Sequence, residues 1–228
     1  MVRPCRSGPV LADLKMLELT PENGRIFRIT HIDNVAWILA NGLHCRNAGV
    51  SDPNYRDIGN PDIIDRRHRR SVPVGPGGSL SDYIPFYLTP YSPMLYNIVT
   101  GHNGVKRLPS HEIVILTGSV RRLAEHNISF LITDRHAALA AARFTAGASG
   151  LERIDWPRLQ ARDFSRDPND PGKIERYQAE VLVHRHLPVP ALDAIVCHGP
   201  SQQTELERLT REMGSDVDVA SKPDWYFS

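Results

Sequence analysis

The sequence predicts a single α+β domain built around a central, mainly antiparallel or mixed sheet. Three observations carry that prediction. Short β-prone runs recur from residue 25 almost to the C-terminus, bounded by Gly, Pro or charged residues. Between them lie short segments with helical periodicity and recognisable caps. No internal repeat, low-complexity tract or linker divides the 228 residues, so one large domain accounts for the length. Residues 1–24 read as an irregular lead-in and 25–228 as the domain.

The elements follow in order. "RIFRIT" (25–30) is a strand that runs into the helical pattern of "HIDNVAWILANG", where Ile32, Val35, Ile38 and Leu39 share one face. Thr30 and Asp33 resemble a capping box, and Gly42 fits just past the helix end. Residues 44–80 form a long polar stretch with "DRRHRR" (65–70) and "PVGPGG" (73–78), in which a helix covers 60–70. "DYIPFYLTP" (82–90) is a strand whose Pro85 marks an edge or bulge. In "SPMLYNIVTG" (92–101) Ser92 is an N-cap, Pro93 the first helical residue and Gly101 the stop.

"HEIVILTG" (111–118) and "ISFLITDR" (128–135) are strands around a short basic helix, and alanine-rich "DRHAALAAARF" (134–144) reads as helical. Residues 151–176 pass from weakly helical to loop-like. "YQAEVLV" (177–183) and "DAIVCHG" (193–199) are strands, "SQQTELERLTREMG" (201–214) is an amphipathic helix with a good N-cap, and the tail adds a strand and an aromatic docking segment.

Composition excludes several classes. A chain that is 41% hydrophobic and 23% charged is an ordinary soluble globular protein. No apolar run approaches membrane-spanning length, and "MVRPCRSGPVLADLK" lacks the apolar core of a signal peptide. Cys5, Cys45 and Cys197 are widely spaced and odd in number, which argues against a disulfide framework and for a reducing cytoplasm. With a net charge of +1, affinity for nucleic acid must come from local basic patches.

Several residues stand out chemically. Glu180 sits at the start of a buried apolar strand, where an ionised carboxylate is costly without a partner or a task. In "DRRHRR", arginines Arg66, Arg67, Arg69 and Arg70 surround His68, a cluster suited to phosphate or to a solvated turn. Tyr83, Phe86, Tyr87, Tyr91 and Tyr96 crowd one stretch with Met94; half should be core, while Tyr91 and Met94 fit a cleft lining. His184 and His186 alternate on one strand, but no Cys or acidic residue completes a metal set, and no metal is expected. Cys45 beside His44 reads as a buried structural thiol. No dinucleotide fingerprint, P-loop or nucleophile elbow is present.

Taken together, "FRITHIDNVAWILANGL", "DRRHRRSVPV", "DYIPFYLTPYSPMLY", "TDRHAALAAARF", "QAEVLV" and "KPDWYF" resemble the DarT family of DNA ADP-ribosyltransferase toxins, in the family's order and over about residues 25–227. The resemblance implies an ADP-ribosyltransferase-like fold: two facing, mainly antiparallel sheets that form an NAD cleft, with flanking helices. It implies transfer of ADP-ribose from NAD to a base in single-stranded DNA, thymidine first and guanosine as the alternative, countered by a macrodomain antitoxin of the DarG type. It implies no metal, and a monomer is expected.

Residue by residue, the resemblance makes Glu180 the catalytic glutamate and Arg67 an essential arginine near NAD and the acceptor base. Arg28, Ile29 and Thr30 match the NAD-binding strand, with Trp37 on the adjoining helix; some relatives carry histidine where this chain has Arg28. Tyr87, Met94 and His136 match the DNA side, to which the crowded aromatics add Tyr91. Residues 157–179 match the substrate-recognition loop. The chemistry fits: a fixed carboxylate would stabilise the positive charge that builds when the ribose–nicotinamide bond breaks. Arg67 would stabilise charge beside the base, and His136 is the easier proton carrier. Rival readings are an ADP-ribosyltransferase acting on RNA or protein, an RNA 2′-phosphotransferase, and a non-catalytic single-strand binding module.

Overall fold

The computed structural model describes residues 17–227. Residues 1–16 of the expected lead-in, with Cys5, lie outside the described residues, as does residue 228. The strands are β1 (Arg25–His31), β2 (Leu43–His44), β3 (Tyr83–Tyr87), β4 (Ile113–Ser119), β5 (Phe130–Thr133), β6 (Phe144–Ala146), β7 (Glu180–His184), β8 (His186–Leu187), β9 (Ala194–Cys197) and β10 (Asp218–Ser221). The α-helices are α1 (Val35–Asn41), α2 (Pro61–Arg69), α3 (Pro93–Thr100), α4 (Val120–Glu125), α5 (Trp156–Ala161), α6 (Lys173–Tyr177) and α7 (Pro200–Glu212).

The main sheet runs β10-β9-β4-β1-β3-β7-β5-β6, antiparallel throughout except for the parallel β9–β10 pair. A separate short pair joins β2 to β8. The main sheet has a seam. β1 pairs with β4 along all seven of its residues but meets β3 only at Phe27 and Tyr87. Two four-stranded halves therefore hinge there, which is how the expected two-sheet architecture appears in this chain.

Pro85 explains the opening. Glu180 and His184 send their amides away from β3, to Thr133 Oγ1 and to the Ser129 carbonyl. By the alternation of an antiparallel ladder, their neighbour Pro85, opposite Leu182, turns its nitrogen and carbonyl toward β1. Proline has no N–H to give, so the ladder cannot continue on that side. The Pro85 carbonyl instead accepts from Arg28 Nη1 at 3.0 Å across the seam. The edge behaviour expected of Pro85 is thus local to the cleft.

The core divides accordingly. The large cluster holds Ile26, Phe86, Ile115, Val181, Val196 and Trp225, all essentially buried. A small second cluster, with Leu80, Tyr83, Leu131, Ala137 and Leu182, covers the other face of the β3-β7-β5 half. The tail docks as expected: Trp225 packs edge-on against Phe27, and the Tyr226 hydroxyl lies 3.0 Å from the carbonyls of Ile113 and Val196.

Caps follow the sequence in most places. Ser92 accepts from Leu95 N, Pro93 begins α3, and Gly101 ends it with a φ of 73°. Asn60 caps α2 by accepting from Asp62 N. Gly42 ends α1 at a φ of 77°, where a Cβ would fall 2.6 Å from the Leu187 carbonyl.

Three expectations are corrected. Thr30 is not a cap: His31 Nδ1 accepts from Asp33 N, while Thr30 Oγ1 accepts from Asn34 Nδ2. α7 has no side-chain cap and starts after Gly199 with Pro200 at its first turn. Residues 134–144 form no helix despite their alanines, because their backbone groups are bound elsewhere. Ala137 N serves Glu180, Asp134 Oδ1 accepts from Arg143 N, and Arg70 Nη2 donates to the carbonyls of Leu139 and Ala140. Tertiary partners override propensity.

Candidate active site

A cleft of about 540 Å³ opens at the seam between the half-sheets, a size typical of small-molecule sites. Its walls come from β1, α1, the segment 50–60, α2, β3, α3 and β7. Arg28, Ile29, Trp37, Arg67, Glu180 and His136 line it, as do Tyr87 and Met94.

Glu180 is 3% exposed and held at every polar atom. Its Oε2 accepts from Arg67 Nη1 at 2.7 Å, and its Oε1 accepts from Ala137 N at 2.9 Å. Its amide donates to Thr133 Oγ1 at 3.1 Å, and that hydroxyl donates to the Arg135 carbonyl at 2.7 Å. Burial raises the pKa of such a carboxyl. The Arg67 charge, nearby His136 and the Ala137 amide more than offset this and hold Glu180 below the usual carboxylate range. The carboxylate is ionised, oriented and set on a rigid strand.

Arg67 reaches Glu180 from the last turn of α2, 113 residues away in sequence. Its Nη2 is buried and has no partner among the described residues, and the same holds for Arg28 Nε. A buried donor without an acceptor is costly, so two such atoms in one cleft mark a place for an anionic or oxygen-rich ligand. Tyr87 lies opposite Glu180 on β3, where side chains of paired residues share a face. Burial and the nearby carboxylate both push its phenol far up, so it stays neutral.

His136 Nδ1 lies 3.7 Å from Glu180 Oε1 and accepts from Ala138 N at 3.1 Å. While Ala138 N occupies Nδ1, a ring without the extra proton carries its hydrogen on Nε2. In that tautomer Nε2–H is a hydrogen-bond donor.

Thr30 sits behind the wall: its buried hydroxyl accepts from Asn34 and lies 3.4 Å from the Tyr55 hydroxyl. Tyr91 is set apart from the cleft. It is buried in the large core cluster, with the Arg162 guanidinium 3.6 Å from its ring centroid. It lies just before the α3 cap, where Arg162 covers its ring and the Tyr177 hydroxyl donates to its carbonyl.

The remaining candidates are structural. His184 packs against the Tyr83 ring at a tilt of 54°, and left-handed Arg185 separates it from His186, so the two histidines do not share one strand face. His186 stacks on His44, and both Nε2 atoms bond the Asn41 carbonyl. Among the described residues no group of His, Cys, Asp or Glu could hold a metal ion. Cys45 is buried, and burial raises its thiol.

Sequence reasoning missed three groups. Ala137 acts through its amide, which leaves no side-chain signal. Thr133, a lone hydroxyl ending the apolar run "FLIT", gave a faint one. Asn34 and Tyr55 stand in a quoted motif and in the long polar stretch without an assigned role.

The chain is similar to proteins already known. A family model described as "ssDNA thymidine ADP-ribosyltransferase, DarT" matches residues 27–227. A DNA ADP-ribosyl transferase of Escherichia coli O127:H6 is 48% identical over 210 residues, covering 92% of this chain and 96% of that one. Two solved structures of DarT from Thermus sp. 2.9 superpose closely. The complex with ADP-ribosylated ssDNA has a TM-score of 0.83 at 33% identity, covering 93% of this chain and all of that one. The complex with NAD+ has a TM-score of 0.79 at 32% identity, covering 91% of this chain and all of that one.

Proposed function

The chain belongs to the DarT family of single-stranded-DNA thymidine ADP-ribosyltransferases, and on that premise we propose that Glu180, Arg67 and Arg28 are its working groups. The enzyme uses NAD as substrate and single-stranded DNA as acceptor, and it releases nicotinamide. The observation that carries the assignment of residues is the 2.7 Å contact between Arg67 and Glu180 at the cleft.

Breaking the bond between ribose C1′ and the nicotinamide nitrogen leaves positive charge on the sugar. The ionised Glu180 carboxylate stabilises that charge and orients the ribose hydroxyls. Arg28 Nε is a donor on β1 with no partner among the described residues and is the one placed for a phosphate oxygen, so it holds the part of NAD that does not react, while Arg67 Nη2 is left for the acceptor side. Ile29 and Trp37 supply the apolar wall beside them.

On the acceptor side, N3 of thymine forms the new bond to C1′, the nicotinamide leaves with the electron pair, and the N3 proton passes to water. Negative charge grows on the base carbonyls as that proton departs. Arg67 and the Nε2–H of His136 meet it. Tyr87 and Met94 line the cleft with Gln178, the one residue of 157–179 that does, and these serve the DNA side. The setting is bacterial cytoplasm, where DNA and NAD are both at hand, with a macrodomain antitoxin as partner; among the described residues no helix is long and apolar enough to cross a membrane.

The test is mass spectrometry of oligonucleotides incubated with NAD, each thymine replaced in turn. An ADP-ribose adduct confined to one thymine, and absent with N3-methylthymine, is expected. An adduct on a thymine-free, guanine-containing strand would overturn the base assignment.

A further inference from the structure

One wall of the cleft is a segment without regular structure. Residues 52–58 contribute Tyr55, Asp57 and Ile58 to its lining, yet they belong to no strand or helix. Something must hold them. The surface ion pairs Arg56–Asp33 and Arg46–Asp57 have all four side chains about half exposed, and pairs of that kind contribute little.

The Arg56 guanidinium also lies 3.1 Å from Nε2 of buried His31, but the buried anchor of the backbone is Asn34, which is 1% exposed. Its Oδ1 accepts from Arg56 N at 2.9 Å, and its Nδ2 donates to the Arg56 carbonyl at 3.0 Å. The side-chain amide thus pairs both backbone groups of Arg56, as a neighbouring strand would. The same Nδ2 donates to Thr30 Oγ1 at 2.9 Å, and Thr30 Oγ1 lies 3.4 Å from the Tyr55 hydroxyl. Three of the amide's bonding positions are filled, all toward β1 or the wall.

We propose that Asn34 is a positioning residue for NAD: it hangs the wall segment 52–58 on β1 and thereby sets the width of the cleft. This rests on reading the cleft as the NAD site. Asn34 is too buried to touch a ligand, so it acts through Tyr55, Asp57 and Ile58. The reacting groups have separate supports. Arg67 is held by Glu180, and α2 is pinned at its far end by Arg70 on Leu139 and Ala140. A loosened wall should therefore weaken binding of ground state and transition state alike.

Asn34→Asp tests this with little change in volume. It keeps an acceptor for Arg56 N but sets a carboxylate oxygen against the Arg56 carbonyl. The KM for NAD should rise about tenfold, the effect of losing one buried hydrogen bond, with kcat within about twofold. Hydrogen exchange of the wild-type protein supplies a readout independent of activity: the Arg56 amide should be protected well beyond its neighbours in the segment. An unprotected Arg56 amide overturns the proposal even where Asn34→Asp fails to fold. So does an Asn34→Asp enzyme with wild-type KM, or with lowered kcat at unchanged KM. Absence of NAD-dependent transfer by the wild type would count instead against the reading of the cleft.

Discussion

Arg67 Nη1 donates to Glu180 Oε2 at 2.7 Å, while the second terminal nitrogen of the same guanidinium is buried with no partner among the described residues. One arginine thus fixes the carboxylate and keeps a donor free for a ligand. A lysine could do the first but not the second, because an ammonium lacks the planar fork.

Arg67→Lys should consequently retain a folded protein and lose transfer by at least tenfold, visible chiefly at subsaturating NAD. Arg67→Ala should cost more. It leaves Glu180 buried and unpaired, with an expected destabilisation of about 3–5 kcal/mol by thermal or denaturant unfolding. Arg69→Ala is the control: Arg69 is exposed and, among the described residues, pairs only with Asp65 one turn away, so transfer and stability should stay near wild type.

The pH dependence follows from the depressed Glu180 carboxyl. A carboxylate held below its ordinary value stabilises the fold fully above that ordinary value. The contribution is lost as pH falls through the folded-state value. The kcat profile should accordingly show no Glu180 limb until the pH is below the ordinary carboxylate range. In Arg67→Ala, burial acts with less opposition and the acid limb should move upward. An acid limb that stays in place in that variant would show that another group titrates.

The amide of Glu180 depends on Thr133. Thr133→Val keeps the shape of the side chain but removes the acceptor for Glu180 N and the donor to the Arg135 carbonyl. A loss of about 1–3 kcal/mol in unfolding free energy is expected, measured by urea titration. A neutral result would mean that the strand start relaxes onto other partners.

Much of this arrangement was legible in the sequence, and the reasons differ by residue. Pro85 announced an edge because proline removes a ladder donor wherever it sits. Ser92, Pro93 and Gly101 announced α3 because local chemistry decides caps. Glu180 was visible as a charge on an apolar strand. The stretch 134–144 misled because its alanines favour a helix, while its amides and carbonyls answer to Glu180, Arg143 and Arg70 across the fold. Tyr91 misled because an aromatic near a helix start packs equally well toward cleft or core. The donor role of His136 depends on one amide, Ala138 N, which no side-chain pattern reveals.

Strandedness follows from the shape of the cleft. Glu180 lines a cleft of about 540 Å³ and is itself only 3% exposed, so an acceptor base must leave any stack to reach the sugar held there. Single strands should be modified efficiently and the matched duplex little. Equal initial rates on the two, followed by gel shift with labelled NAD, would contradict this.

The most direct measurement is single-turnover transfer from labelled NAD to a thymine-containing single strand by Glu180→Gln, with folding checked by its melting curve. Glutamine preserves the shape of the side chain and can still accept from Arg67, but it removes the negative charge. A fall of about 10²–10³-fold in rate, with a folded protein, is the predicted result for a preorganised group facing the charge that develops in the transition state. A folded Glu180→Gln enzyme that transfers at the wild-type rate would contradict the account at its centre.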